Sequence, residues 1–298
     1  MATTAHDVDP TRLSERELAD IVRANESGRQ PVVFVHGLWL LASSWDAWRA
    51  YAEEHGYVAV AADWPNDPSS VAEARRTPEA FAGNSVGAVT DHVAALVAQL
   101  DRTPVLVGHS FGGLLVQRLA GMGLAATTVA IDPAPFRGVL PLPLSALKAA
   151  SPVLGNPRNR GRAVTLTPEQ FRYGFGSAVS AEESQELYDT FHVAAPGRPL
   201  FQAATANLLP GTEASVDTLR ADRGPLLIIS GEVDHIVPWA ISNASFRRQA
   251  RNAGVTEIRE IPNRGHSLVV DSGWREVADA TFAFVEQHAP AGVATATS

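Results

Sequence analysis

Pro104-Val105-Leu106-Val107-Gly108-His109-Ser110-Phe111-Gly112-Gly113 decides how this chain is read. A short apolar run rich in β-branched residues leads straight into Gly-X-Ser-X-Gly. The continuation, Gly113-Leu114-Leu115-Val116-Gln117-Arg118-Leu119-Ala120, reads as a helix. Strand, sharp turn and helix in that order are what a nucleophile elbow requires. At Gly108 and Gly112 the turn is so tight that a β-carbon would strike the neighbouring strand or helix. The turn lifts the Ser110 hydroxyl clear of the sheet, at the positive end of the following helix. The alternative role for Ser110 is a plain helix cap.

Outward from the elbow, further short apolar runs read as buried parallel strands: Val32–Val35, Val58–Ala61, Val105–Val107, Thr128–Ile131, Leu226–Ser230 and Thr256–Ile261. Helical periods fall between most of them, at Trp45–Glu54, Ala88–Leu100, Leu114–Gly121 and Trp274–Gln287. This alternation predicts an α/β protein with an open, mostly parallel sheet and helices on both faces. Ligands in such sheets sit beyond the carboxyl ends of the strands. Between residues 135 and 218 the alternation stops and prolines are frequent. Thr167 is placed to cap a helix with Pro168 at its first position and Gln170 at its third, and Ser180 begins another with Glu183. This region reads as a helical cap over the active face, or else as a long surface insertion. The core domain is then 31–134 plus 219–289, preceded by a polar leader (1–30) and followed by a flexible tail of small residues (290–298).

The chain has 298 residues, 45% hydrophobic and 19% charged, an ordinary composition for a soluble globular protein. Its net charge of −8 offers no basic face to attract phosphate backbones or anionic lipid, which disfavours nucleic acid and membrane as partners. With no cysteine, disulfides, thiolate metal sites and a cysteine nucleophile are excluded. The polar residues 1–30 lack a secretory pattern, so a cytoplasmic protein is expected.

A serine hydroxyl is a poor nucleophile near neutral pH and needs a base, usually a histidine oriented by a carboxylate. Of nine histidines, His266 in Asn263-Arg264-Gly265-His266-Ser267 follows the last strand and precedes a helix. That places it at the edge where Ser110 emerges. His109 should turn away from the elbow and pack. For the carboxylate, Asp234, on the loop after Leu226–Ser230, is the leading candidate. Asp132, after Thr128–Ile131, is the second and Glu232 the third, while Asp271 reads as a helix cap. The oxyanion that forms needs N–H donors. Phe111 at the helix start is one source, and Leu38 in His36-Gly37-Leu38-Trp39 is the other. His36, Trp39, Phe136, Phe171 and Tyr173 are candidate pocket residues, with packing beneath the cap the alternative for Trp39.

Taken together, His36-Gly37, the elbow, Gly231…Asp234…Val237-Pro238 and Gly265-His266 resemble the α/β-hydrolase superfamily, whose chain order is also Ser, Asp, His. The resemblance spans about Pro31 to His288. It implies an α/β-hydrolase fold with an eight-stranded sheet and a cap inserted after the sixth strand. The sequence looks most like capped, cofactor-free esterases and lactonases, and is also similar to non-haem haloperoxidase-like perhydrolases. Serine at 110 departs from the haloalkane dehalogenases and epoxide hydrolases of the same fold, which carry aspartate there.

The expectation is therefore a serine hydrolase acting on a small-molecule carboxylic ester or lactone, apolar or aromatic in character, with no metal or organic cofactor. Three other readings remain: a peracid-forming perhydrolase or haloperoxidase-like enzyme, a carbon–carbon bond hydrolase or lyase, and a small-molecule receptor on the same fold.

Overall fold

The computed structural model describes residues 12–288, so the tail 290–298 and the first part of the leader lie outside it. Six strands form the central sheet: β1 (Pro31–Val35), β2 (Val58–Ala62), β3 (Val105–His109), β4 (Thr127–Ile131), β7 (Leu226–Gly231) and β8 (Thr256–Ile261). Their order is β2-β1-β3-β4-β7-β8, and every pairing is parallel. A separate two-residue antiparallel ladder joins β5 (Ala163–Val164) to β6 (Ala195–Pro196). The eight-stranded sheet implied by the resemblance is thus six strands wide among the described residues.

The apolar runs become strands because each of β1, β2, β3, β4 and β7 is buried along its whole length. Alternate side chains divide between two cores. Val33, Val35, Val60, Leu106 and Ile228 face one layer, while Val32, Phe34, Val107, Val129 and Ile229 face the other. Edge strand β8 differs, exposing Glu257, Arg259 and Glu260, charges that discourage pairing with another chain.

No strand precedes β1 among the described residues. Part of the polar leader folds instead as α1 (Glu15–Ser27), opened by a capping box between Ser14 and Glu17 and packed against β2. Its inner face includes buried Glu17 and Asp20. Glu17 meets His92 Nε2 at 2.9 Å and accepts the Asp63 N–H at 3.0 Å; Asp20 pairs with Arg23 and Arg49.

The remaining core helices are α2 (Asp46–Glu54), α3 (Val71–Arg76), α4 (Val86–Val97), α5 (Phe111–Gly121), α10 (Trp239–Gln249) and α11 (Trp274–Gln287). Between β4 and β7 lie α6 (Leu144–Leu154), α7 (Pro168–Gly174), α8 (Ala181–Phe191) and α9 (Arg198–Thr205). The Thr167 capping box forms, and Ser180 accepts the Glu183 N–H at 3.1 Å. Phe136, Val153, Phe171, Phe175 and Leu187 from this segment join the core that contains Leu38, Trp39 and Phe111. The segment is therefore seated on the loops at the carboxyl edge of the sheet.

Candidate active site

Ser110 sits between β3 and α5 with φ 57° and ψ −119°, a backbone conformation that a non-glycine residue adopts only when its surroundings impose it. Its N–H donates to Ile131 O at 2.9 Å, and its carbonyl accepts the Ala134 N–H at 2.9 Å. The flanking glycines are explained by contact: a Cβ on Gly108 would overlap the Gly112 carbonyl, and one on Gly112 would overlap the Val35 carbonyl. A third close approach comes from the β1 loop, where a Cβ on Gly37 would stand 2.7 Å from Ser110 Cβ and 3.3 Å from its Oγ. The loop carrying Leu38 is therefore pressed against the serine. Phe111, the first residue of α5, has an N–H without an intrahelical partner.

His266 follows β8 and Asp234 follows β7, and the two side chains meet: His266 Nδ1 donates to Asp234 Oδ2 at 2.6 Å, both fully buried. The other carboxylate oxygen accepts the N–H groups of Ile236 (2.6 Å) and Val237 (3.0 Å). Burial pushes the Asp234 carboxyl up, but the adjacent His266, its hydrogen bond and the Val237 N–H outweigh that and hold it below the usual carboxylate range. It is an ionised partner for the imidazole. His266 Nε2 makes no hydrogen bond among the described residues, although it is buried. The histidine loop is braced from behind, because Asp271 pairs with Arg264, accepts from Ser267 Oγ at 2.8 Å and accepts the Gly273 N–H at 3.1 Å. Gly273, not Asp271, holds the cap position of α11.

Asp132, the second candidate acid, has φ 42° and is buried, with Oδ1 accepting the Gly231 N–H at 2.8 Å. Burial first, and then the charge of neighbouring Asp234, push its carboxyl well above the usual range, a shift towards the protonated form. Two buried carboxyls thus stand side by side, one shifted up and the other down. Glu232, the third candidate, is engaged elsewhere, accepting the Asn263 N–H at 2.8 Å.

His109 does not turn away from the site. Its ring lies 4.6 Å from that of His266, and burial, followed by His266, pushes it well below the usual histidine value, so it is neutral. The elbow motif specifies the serine's direction but carries no signal for its neighbour's contact with a loop 157 residues later in the chain. His109, Asp132 and His266 bring one potential ligand atom each within 4.8 Å of one another. A cation there would have to oppose the burial that favours the protonated form of Asp132.

The candidate pocket residues separate. Trp39, at φ 65°, donates its Nε1–H to Val164 O at 3.0 Å and meets the Phe175 ring edge-on at 6.2 Å, so it packs beneath the cap. His36 is withdrawn from the pocket: its ring stacks on Trp64, with Nε2 3.0 Å from Asp67 and Nδ1 2.8 Å from Gly37 O. Phe136 and Phe171 are fully buried in the core, and Tyr173 lies against His235, next to the acid. The cap aromatic that reaches the histidine is Phe175, 4.9 Å from the His266 ring and stacked on Phe171 at 4.8 Å. The sequence pointed to Phe136, Phe171 and Tyr173 for the pocket, and only packing distinguishes Phe175. A cavity of about 620 Å³ lies elsewhere, beside Ser14, Glu17, Asp63 and Asp67, and is not lined by Ser110, Asp234 or His266.

Residues 32–280, carrying all of these loops, match the alpha/beta hydrolase family. The chain is an alpha/beta hydrolase. A non-heme chloroperoxidase of Streptomyces lividans is 28% identical to it, over 78% of this chain and 84% of that protein. Among solved structures, a bromoperoxidase from Bacillus anthracis superposes with a TM-score of 0.62 at 21% identity, covering 87% of this chain and 92% of the other. A monoacylglycerol lipase from Paleococcus ferrophilus gives 0.60 at 22% identity, covering 87% and 95%. These structures share the fold of this alpha/beta hydrolase. No helix among the described residues is long and apolar enough to cross a membrane.

Proposed function

We propose that this protein is a serine hydrolase that cleaves a carboxylic ester or lactone through an acyl-enzyme. The observation that carries this reading is the 2.6 Å His266–Asp234 bond on loops that leave the same sheet edge as the strained Ser110. Ser110 attacks the carbonyl as His266 takes its proton, and ionised Asp234 holds the imidazole tautomer and stabilises the imidazolium. The N–H groups of Leu38 and Phe111 receive the oxyanion. His266 then protonates the leaving alcohol and activates water, which releases the acid and restores Ser110. Protein groups supply every step, so neither a metal nor an organic cofactor is needed. Burial of Ser110 and His266 beneath Phe175 and Trp39 favours a substrate with an apolar or aromatic portion.

The kinship with a non-heme chloroperoxidase supports a second reading on the same machinery. Hydrogen peroxide would replace water in attacking the acyl-enzyme, releasing a peracid that oxidises halide.

A panel of p-nitrophenyl esters and lactones, assayed with wild type and Ser110→Ala, tests the first reading. Wild type should turn over at least one, and the variant should lose on the order of 10⁶-fold in kcat. Equal activity in the two proteins would remove Ser110 from the mechanism. Serine-dependent halogenation requiring acetate and peroxide, with all esters and lactones left intact, would replace the first reading by the second.

A further inference from the structure

The segment between β4 and β7 carries a group of leucines that no described residue covers. Leu140 and Leu142 alternate with Pro141 and Pro143 on the approach to α6, and Leu144 and Leu147 continue the patch along its first turn. Their exposures are 70%, 71%, 84% and 45%. Leu208 and Leu209, also exposed, adjoin them: Asn207 bonds the N–H of Gly138 at 2.7 Å and the carbonyl of Val139 at 2.9 Å, and α9 packs against α6. Six of the twelve large exposed hydrophobic residues of the described chain thus fall on one side of the cap. A cluster of that kind on an otherwise polar surface marks an interaction face.

Charge indicates what the face meets. From Pro133 to Pro168 there is no aspartate, glutamate or histidine, whereas Arg137, Lys148, Arg158, Arg160 and Arg162 are all exposed. The segment is net +5 in a chain whose total is −8. The negative total disfavours attraction to anionic surfaces over long range. Screening confines each charge's influence to about 8–10 Å at ordinary ionic strength, so at contact the local sign governs. On α6, Leu144, Leu147, Lys148 and Ser151 share one face, with apolar side chains and a cation side by side.

We propose that this face docks the protein on an anionic lipid surface. The leucines are exposed at 45–84%, which suits insertion among acyl chains. The basic residues around them meet the lipid headgroups. A two-fold contact between copies of this chain would oppose one +5 segment to another, which charge disfavours. Helix α6 packs against α7, the helix that leads into Phe175 over His266, so docking brings the lipid to the part of the cap that roofs the serine. The proposal concerns binding and stands whatever the reaction at Ser110.

Vesicle co-sedimentation tests it, with phosphatidylcholine alone against phosphatidylcholine mixed with phosphatidylglycerol, at low and high salt. Wild type should bind the anionic vesicles at least about tenfold more tightly than the neutral ones, and less at high salt. Replacing Leu140, Leu142, Leu144 and Leu147 together by serine should weaken binding more than about tenfold, with melting temperature unchanged because those side chains are exposed. A second readout avoids the multiple variant. The chain has no cysteine, so Leu144→Cys provides a unique labelling site. A polarity-sensitive dye there should shift to the blue on anionic vesicles, while one at Val22→Cys on α1 should not. Three results would overturn the proposal: no wild-type binding to anionic vesicles, an equal dye response at both positions, or a wild-type dimer that the leucine substitutions convert to a monomer in light scattering.

Discussion

Trp39, Asn66, Ser110, Asp132 and Asn263 are the non-glycine residues with positive φ among those described, and each follows the carboxyl end of a strand, respectively β1, β2, β3, β4 and β8. Between residues 135 and 218, in the helical segment inserted between β4 and β7, positive φ occurs only at Gly138 and Gly211. The sheet edge is strained, buried and tied by hydrogen bonds between loops distant in sequence. The cap is built from four helices of 7 to 11 residues in relaxed conformations, and it exposes leucines. Backbone strain of about 1–3 kcal/mol per residue persists only where surrounding packing over-determines it. The contrast therefore separates a part that is pre-organised for chemistry from one that is freer to differ in shape and surface.

After the loss expected at Ser110 itself, the largest effect on the strained side is at the acid. Asp234→Asn should reduce kcat by about 10⁴-fold with little change in fold, because the amide keeps the shape but imposes the wrong imidazole tautomer. Loss of less than tenfold would show that the pre-organised edge does not depend on that bond.

Phe175 joins the two regions, with rings of the cap on one side and His266 on the other. Phe175→Ala should cost about 3–5 kcal/mol in chemical denaturation, the range for emptying a packed aromatic site. A much smaller loss would mean that the cap closes over the gap and is looser than the sheet edge.

Acid should lower stability through a buried histidine of the segment between β4 and β7. Burial, and then Arg75, lower His192 to about 4, and its Nε2 accepts the Leu166 N–H at 3.2 Å, which requires the neutral ring. Between pH 6.5 and 4 the unfolded chain binds the proton more readily, so stability falls as pH falls through that window, by about 3 kcal/mol in total. Denaturation midpoints followed from pH 7 to pH 4 should show this decline, and His192→Gln should make it shallower, with the depressed His109 sustaining the remainder.

The smallest effect belongs to Asp132→Asn. A neutral amide can replace the protonated carboxyl between Gly231 and Asp234, so turnover should stay within about tenfold of wild type. Because the folded-state value of Asp132 is raised, its contribution to stability is present below the unfolded value near 3.9 and is lost as pH rises. The variant should therefore gain on wild type in melting temperature as pH increases. If Asp132→Asn instead matched Asp234→Asn in kcat, the two carboxyls would have to exchange roles.

Five of the six strands were legible to within two residues at either end, because a strand buried on both faces must be apolar along its length; Thr256–Ile261 was legible at both ends although it is the exposed edge strand. Helix α1 was not legible in the polar leader. Its inward face carries Glu17 and Asp20, and their burial is tolerated only because His92, Asp63, Arg23 and Arg49 come to meet them. The contact of His109 with His266 and the withdrawal of His36 towards Asp67 escaped for the same reason, since each depends on a partner in a distant loop.

By itself, the sequence determined the parallel strands, the elbow at Ser110 and the strand ends bearing Asp234 and His266, because these rest on local apolar runs, glycines and turns. Only the tertiary structure decided which carboxyl is ionised, which aromatic reaches His266 and which leucines face outward. Protonation, contact and exposure are properties of neighbours in space, and here those neighbours come from segments up to 157 residues apart, as His109 and His266 are.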